Sequence, residues 1–370
     1  MRKKVLILAI ADLRHMTAAG YYYYYLYNNN IEFDIVCTNR YGSDSIIEYP
    51  CQIYAYKWIS STYQSKIKKV IPMLQFREYA VRKMNENKYS YIIVWGENTG
   101  ILFGNYLKKR YKGNYCINIR DIDIFKTLKI GKILYMIEQK TIKYAQFYTV
   151  PAPGGLIFSH KNSLILLNKD YATLKNSKSK ENLKNLKNEP LIITYMGLIN
   201  QYYDFFIKVV KVLANDKRYL IRFYGDGAER IQHYISQNKI CNIETKGTFP
   251  ANETSKYLNE TDIIFSAYGK TNYSVTDAIG VKESYGPQLR IPVISDNYGK
   301  WYEIAQKYGF GYGIDEEHME RLPDELFAWY NNLDFKTFET GCKKYCDIVD
   351  ENNKKVWKLL DYKVTDKKGR

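Results

Sequence analysis

The chain has 370 residues, which is too long for one comfortable hydrophobic core and about right for two α/β domains. Hydrophobic residues make up 46% and charged residues 25%, as in an ordinary folded soluble protein, and no run approaches the roughly 20 apolar residues of a membrane span. The net charge is +16, and the six cysteines include no CxxC pair, which argues against a zinc motif and favours buried thiols in a reducing cytoplasm.

In chain order, the first half alternates short apolar runs with helical patterns. The runs that predict strands are residues 5–10, 33–38, 91–95, 115–119 and 147–150. The patterns that predict helices are residues 18–28, 66–87, 100–111 and 129–144. Buried strands that alternate with amphipathic helices indicate a parallel sheet covered on both faces.

A polar segment rich in lysine and asparagine follows and cannot build a core. We therefore expect a linker over residues 173–190, between a first domain at 1–172 and a second at 191–335. The alternation restarts at Leu191, and a final helical pattern makes us expect residues 336–370 to cross back to the first domain. The predicted strands of the second half are 191–196, 219–224, 243–246, 263–267 and 291–295, and the predicted helices are 203–214, 228–237, 253–260 and 334–362.

The loops after the strands of the second half are where a ligand is expected, because open parallel sheets bind ligands beyond the carboxyl ends of their strands. The glycines that follow the strand at 219–224 allow backbone N–H groups to approach an anion near a helix N-terminus. A plain strand-to-helix turn is the alternative. The candidate binding residues of these loops are Gly225, Gly227, Gly247, Thr248, Phe249, Tyr268, Lys282, Ser284 and Tyr285.

The series of segments in the second half resembles the nucleotide-sugar domain of GT-B glycosyltransferases that build bacterial capsules and surface polysaccharides. A strand ends at Gly197, a second strand ends in the Gly-x-Gly of residues 225–227, and a short glycine loop at 246–250 corresponds to the one that receives the base. Lys282 lies ten residues before Pro292, as the family spacing requires. The resemblance covers residues 190–310 well and the first half loosely. It implies an α/β GT-B fold, with two Rossmann-like domains whose parallel sheets face each other across a cleft.

The acidic pair of the family is missing here. Many relatives carry two glutamates, separated by seven residues, that flank the sugar and the ribose. In this sequence Glu283 has Val275 at the partner position, and with Lys282 as the anchor the family glutamate falls on Tyr285.

Two further departures concern positive charge. Asn200 and Gln201 stand where the family carries an arginine or lysine, and Arg290 stands where it carries a glycine. The resemblance then implies that the donor phosphates depend on Lys282, on backbone N–H groups and on Arg290.

Two loops of the first half offer catalytic candidates. Arg14 and His15 follow the first strand, in a loop that GT-B enzymes place in the interdomain cleft, and an imidazole is a natural acid–base group. The alternative is an exposed loop histidine with no role. Asp121 follows another strand and could accept a proton from an acceptor hydroxyl. With Asp123 it mimics the metal-binding Asp-x-Asp of the unrelated GT-A transferases, but GT-B chemistry needs no metal and we expect none.

The positive charge is concentrated in the first half. Residues 1–170 contain 25 basic and 12 acidic residues, a net charge of +13, whereas residues 191–370 contain 25 of each. This asymmetry indicates an anionic partner, which is a membrane surface, a phosphate-bearing acceptor or nucleic acid. The alternative is a solvated basic face that serves solubility. Basic clusters lie at 66–69 and 108–110. We expect no nucleic-acid partner, because the basic residues are scattered and form no recognised binding motif.

Together these features predict a metal-independent, hexosyltransferase-like glycosyltransferase. The donor is a nucleotide sugar, with UDP favoured by the resemblance, and the acceptor is a glycan or a lipid-linked oligosaccharide. No cofactor is expected beyond the donor substrate. The expected location is the cytoplasm, with or without peripheral attachment to the inner face of the plasma membrane. The alternatives are a nucleotide-sugar epimerase and a non-catalytic basic protein that binds membranes or nucleic acid. A shift in melting temperature with a nucleoside diphosphate or with duplex DNA separates these classes.

Overall fold

The computed structural model describes residues 3–40, 42, 47–58, 70–186, 189–270 and 279–365, without the side chains of Arg14, Asp123 and Thr127. The chain divides into two compact units. The first contains Met1–Asp170 and Asp350–Arg370, and the second contains Tyr171–Val349. The basic cluster at residues 66–69 and the position of Val275 lie outside the described residues.

The first unit contains a sheet of seven parallel strands. They are β1 (Lys4–Ala9), β2 (Glu32–Asn39), β3 (Gln52–Lys57), β4 (Tyr91–Trp95), β5 (Tyr115–Asn118), β6 (Phe147–Val150) and β7 (Ser163–Ile165). Their order in the sheet is β3-β2-β1-β4-β5-β6-β7. The strand order reverses between β1 and β4, which makes this point of the carboxyl edge a topological switch point. The five strands predicted for this half are confirmed, and β3 and β7 are the edge strands that the sequence pattern did not indicate.

Helices cover this sheet, as the continuous apolar strands require. They are α1 (Gly20–Asn28), α2 (Val70–Asn87), α3 (Glu97–Arg110), α4 (Asp123–Thr127) and α5 (Gly131–Ile142). Helices α3 and α5 approach each other closely, because Gly100 and Gly104 leave room for side chains of α5. A Cβ atom on Gly100 would lie 2.2 Å from Oε1 of Glu138, and one on Gly104 would lie 2.1 Å from Oγ1 of Thr141.

The polar segment around residues 173–190 belongs to the second unit. It begins with α6 (Tyr171–Lys175). Farther along, Lys180 and Lys184 form ion pairs with the buried carboxylate of Asp262, at 3.7 and 3.2 Å. Leu183 and Leu186 pack against the core of this unit. The polar composition that suggested a linker therefore includes charges that anchor the segment to one unit.

The second unit contains a sheet of six parallel strands. They are β8 (Leu191–Met196), β9 (Tyr219–Tyr224), β10 (Ile243–Lys246), β11 (Ile263–Ser266), β12 (Val293–Asp296) and β13 (Gly311–Ile314). Their order is β10-β9-β8-β11-β12-β13, so the switch point lies between β8 and β11.

The helices of the second unit enclose an aromatic core built around Tyr195, Phe206, Phe223 and Phe265. The helices are α7 (Tyr203–Leu213), α8 (Ala228–Gln237), α9 (Thr254–Glu260), α10 (Val281–Leu289), α11 (Gly299–Tyr308) and α12 (Leu322–Asn331). Helix α10 contains Gly286 and Pro287, which explains why the sequence pattern did not predict it.

The last helix, α13 (Phe335–Val364), contributes to both units. Within the first unit it meets the tyrosine run of α1. The Trp357 ring stacks on Tyr21 with ring centroids 5.5 Å apart, and the Tyr25 hydroxyl donates to Oδ1 of Asp361 at 2.6 Å. No helix among the described residues is long and apolar enough to span a bilayer.

Candidate functional site

The carboxyl edge of the second sheet is tied together by its first three loops. The N–H of Gly197, after β8, donates to the carbonyl of Tyr224 at 2.9 Å, and the N–H of Gly225, after β9, donates to the carbonyl of Lys246 at 2.8 Å. Gly225 has φ +140°, and a Cβ atom there would lie 1.9 Å from the carbonyl oxygen of Gly197. The close approach of these two loops requires glycine, and it leaves bare backbone at the carboxyl ends of β8 and β9.

The start of α8 adds a cation to this edge. Gly227, with φ +91°, precedes the helix, and the Asn200 side chain packs against it. Arg230 in the first turn donates from Nη1 to Oδ1 of Asn200 at 3.3 Å and lies over the Tyr203 ring at 3.7 Å. A helix N-terminus and an exposed guanidinium therefore lie together, a combination that favours an anion.

Lys282, in the first turn of α10, lies at the same edge. Its Nζ is 3.8 Å from the centre of the Tyr195 ring and 4.8 Å from that of Tyr268, and a Cβ atom on Gly197 would lie 3.2 Å from it. Loss of water around the ammonium lowers the pKa of Lys282 to about 8, against a smaller opposing effect of Glu283. Within the described ranges, no carboxylate lies within ion-pair distance of Nζ, and the cation lies over the faces of the two tyrosines.

A buried carboxylate lies beside this lysine. Oε1 of Glu283 accepts from the Ser266 hydroxyl at 2.8 Å and from the Tyr268 hydroxyl at 3.2 Å, while Oε2 has no hydrogen-bond partner among the described residues. The loop after β11 is held by Asp296, whose carboxylate accepts hydrogen bonds from the N–H groups of Tyr268 and Gly269. Burial raises the pKa of Asp296 to about 6. Tyr268 is thus fixed at both its backbone and its hydroxyl.

The loop after β10 is open. Gly247 and Thr248 are exposed, and the half-buried Phe249 ring makes an edge-on contact with Tyr257 at 4.9 Å. Part of the Phe249 ring is therefore exposed in this loop, where a planar ring can pack against it.

Other residues predicted to bind the donor, in α10 and just after it, are poorly placed to contact a ligand at this edge. Ser284 and Tyr285 are buried, and the Ser284 hydroxyl donates to the carbonyl of Val281 in its own helix at 2.6 Å. Arg290 follows the opposite end of α10, just before β12, so it belongs to the amino edge of the sheet, where it pairs with Glu339. The expectation that Arg290 contacts the donor phosphates is therefore wrong. Helix α10 runs antiparallel to the strands, so its first turn with Lys282 lies at the carboxyl edge of the sheet and its last residues lie at the amino edge.

The first unit presents both catalytic candidates at its carboxyl edge. His15, after β1, and Asp121, after β5, are exposed, and β4 lies between their strands. The buried Glu97, at the start of α3, accepts from the N–H groups of Arg120 and Asp121, both at 3.2 Å. Burial raises the pKa of Glu97. Arg120 lies over the Trp95 ring at 5.0 Å.

Sequence reasoning missed Arg230 and Glu97 as site residues. Each lies in the first turn of a helix that begins after a strand-end glycine, Glu97 directly after Gly96 and Arg230 three residues after Gly227, and that position was the available signal. Among the described residues, no three histidine, cysteine or acidic side chains are grouped closely enough to hold a metal ion.

Comparison with known proteins confirms the predicted fold class, because this chain has the GT-B fold. It is similar to sucrose-phosphate synthase from Thermosynechococcus elongatus, with a TM-score of 0.69 and 13% identity over 98% of each chain. It is also similar to HepE from Anabaena in complex with UDP, with a TM-score of 0.64 and 10% identity over 98% of this chain and 100% of that one. A glycosyltransferase from Rickettsia africae has a TM-score of 0.62 and 13% identity over 99% of each chain. No protein-family model and no curated protein sequence matches the chain.

Proposed function

We propose that this protein is a metal-independent glycosyltransferase that moves a sugar from a nucleotide-sugar donor to a polysaccharide or a lipid-linked oligosaccharide. The observation that carries the proposal is Lys282, whose ammonium lies beside the bare backbone of Gly197 without a carboxylate at ion-pair distance among the described residues. A desolvated cation is costly unless an anion compensates it. A donor diphosphate supplies that anion.

The donor occupies the carboxyl edge of the second sheet in this proposal. Lys282 and Arg230 bind the diphosphate from two sides, with backbone N–H groups at the start of α8 between them. The open loop at Gly247–Phe249 receives the base, in keeping with the family resemblance. We favour uracil as the base, since similar structures of HepE are complexes with UDP and with UDP-glucose.

The reaction is a substitution at the anomeric carbon of the donor sugar. The acceptor hydroxyl oxygen bonds to the anomeric carbon as the bond from that carbon to the diphosphate oxygen breaks. The electron pair leaves with the diphosphate, whose growing charge Lys282 stabilises. The hydroxyl proton passes to a base on the first unit, for which Asp121 and His15 are the candidates.

The acceptor side of the proposal depends on charge. The basic first half suits a phosphate-bearing lipid acceptor at an anionic membrane surface, as in the synthesis of capsules and other surface polysaccharides. The acceptor is supported by the motif series and by the charge distribution of the first half.

A thermal-shift panel of UDP-, GDP-, CMP- and dTDP-sugars tests the donor half of the proposal. A ligand at one hundred times its Kd stabilises the folded chain by about 2.7 kcal/mol, which raises Tm by several degrees. We expect the largest shift with a UDP-sugar and a reduced shift in Lys282→Ala. Lys211→Ala, an exposed lysine on α7, serves as the matched control and should behave as wild type. If no nucleotide sugar raises Tm, the proposal is wrong.

A further inference from the structure

Helix α5 of the first unit exposes apolar side chains along one face. Ile130, Ile133 and Met136 are each 54% exposed, and Ile137 is 39% exposed. Their spacing of three and four residues places them on the same side of the helix. The opposite side is buried against α3, where Glu138 lies. An apolar stripe of this kind on a surface helix indicates an interaction site.

Lysines surround this stripe without exposed acidic residues among them. The exposed lysines of α5 and its flanks are Lys126, Lys129, Lys132, Lys140 and Lys143. The one acidic residue between positions 124 and 146 is Glu138, which is buried on the other side of the helix.

A neighbouring segment extends the apolar surface. The Tyr135 hydroxyl donates to the carbonyl of Ile157 at 3.1 Å, and the Tyr135 ring stacks on Phe158 at 4.9 Å. These contacts hold residues 156–158 against α5, and Leu156 beside them is 39% exposed. The apolar surface therefore has a fixed shape that does not depend on one helix alone.

This combination fits a lipid surface that carries negative charge. Apolar side chains on a helix that lies flat enter the boundary between headgroups and acyl chains, while lysines reach anionic headgroups along their flexible stems. A groove on a protein partner would need carboxylates at several of the lysine positions as well as an apolar centre. A second copy of this face would bring ten lysines together, which like-charge repulsion opposes.

We infer that the exposed face of α5, with Leu156, is the surface through which this protein docks on an anionic bilayer. The inference rests on the proposed function, which places the acceptor at a membrane, and it adds the surface through which the protein binds that membrane. It does not depend on sugar transfer, because vesicle binding is measured without donor or acceptor. A failed vesicle assay therefore leaves the donor-binding result intact, and a failed donor assay leaves the vesicle result intact.

Co-sedimentation of the full chain with vesicles tests the inference. Vesicles of phosphatidylglycerol and phosphatidylcholine are compared with vesicles of phosphatidylcholine alone, at low and high salt. We expect binding to the anionic vesicles that weakens with salt. Ile133→Ser/Met136→Ser should weaken it about tenfold by removing apolar insertion, and Lys132→Glu/Lys140→Glu should weaken it about tenfold by reversing charge.

The matched control reverses the same number of charges on the second unit. Lys211→Glu/Lys217→Glu, both exposed, should bind vesicles as wild type does. Each variant is compared with wild type only if the two have the same Tm. If the double serine variant has a lower Tm, the single variant Ile130→Ser replaces it. Wild-type binding that ignores lipid charge, or α5 variants that bind fully, would overturn the inference. Self-association that Ile133→Ser/Met136→Ser abolishes, in a protein that binds no vesicles, would also overturn it.

Discussion

Arg230 donates a hydrogen bond to Asn200 across the start of α8, at 3.3 Å. Asn200 stands where the family that the sequence resembles carries a basic residue. Arg230, which belongs to α8, brings a positive charge to the same loop. The charge is held in place by the Tyr203 ring, 3.7 Å from the guanidinium carbon. A cation fixed by an aromatic face and an amide loses little freedom when it binds a phosphate.

Arg230→Ala should weaken binding of the UDP-sugar by about 1 kcal/mol, less than a fully buried contact would, because the arginine is exposed. Isothermal titration measures the change. Arg321→Ala, an exposed arginine near α12, is the control and should leave the affinity unchanged. Equal affinities for Arg230→Ala and wild type would remove Arg230 from the donor site.

Lys282→Ala should weaken donor binding by about 1.5–3 kcal/mol, the usual range for a charged hydrogen bond. The unliganded variant should not melt earlier than wild type, because the ammonium of wild type is desolvated without an ion-pair partner among the described residues. A lowered Tm together with unchanged affinity would show that the lysine is structural.

The pH dependence of binding has a definite sign. Burial lowers the pKa of Lys282 to about 8, so the ammonium loses its proton above that pH and the affinity of wild type for the donor should fall. The unfolded chain keeps this proton up to the ordinary pKa of 10.5, so between the two values the lysine's contribution to the free energy of unfolding rises with pH. Titration calorimetry across this range should show the decline in affinity in wild type and not in Lys282→Ala.

Gly225→Ala should destabilise the second unit by about 1–3 kcal/mol, since a Cβ atom would meet the Gly197 carbonyl at 1.9 Å and φ is +140°. Gly247→Ala is the matched control, because no heavy atom lies within 4 Å of its added Cβ and its φ is not positive. Urea unfolding of both variants measures the difference. If they lose the same stability, the close approach of the two loops is not what requires glycine at 225.

The repeating architecture was predictable because buried parallel strands must be apolar throughout. The apolar runs of β1, β4 and β8 predicted these strands. Strand β3 lies half exposed at a sheet edge and has no such run. Helix α10 was missed because Gly286 and Pro287 have poor helix propensity, and packing on the sheet overrides that preference.

The site was only partly predictable for a similar reason. The position of Lys282 follows from its spacing to a recognisable strand. Its two tyrosine contacts do not, because Tyr195 in β8 and Tyr268 after β11 are 73 residues apart in the sequence. The placement of Arg290 depended on the direction of a helix that the sequence pattern did not reveal. Side chains that meet across strands are set by sheet order, and no local pattern encodes it.

Glu138→Gln tests whether the carboxyl group buried between α3 and α5 is protonated. Both carboxyl oxygens of Glu138 are buried without hydrogen-bond partners among the described residues, and burial holds its pKa well above the ordinary 4.5. The folded state therefore keeps a proton that the unfolded state releases, and the free energy of unfolding should fall as pH rises above about 4.5. In Glu138→Gln this decline should be smaller, so the variant should gain stability relative to wild type between pH 5 and pH 8. Parallel pH profiles in the two proteins would mean that Glu138 is already ionised in the fold.

Asp121→Asn should separate the two catalytic candidates. The change keeps the shape of the side chain and removes its capacity to take a proton, so kcat should fall by about 10²–10⁴-fold if Asp121 is the base. The donor Kd should stay the same, because the proposed donor site lies in the second unit. His15→Ala is measured beside it under the same conditions. A loss of kcat in His15→Ala with full activity in Asp121→Asn would transfer the role to the imidazole. Glu97→Gln is the control for the fold of this loop, because Glu97 accepts the N–H of Asp121 at 3.2 Å. It should lower Tm, and a loss of kcat in Asp121→Asn at a Tm above that of Glu97→Gln assigns the effect to the missing base.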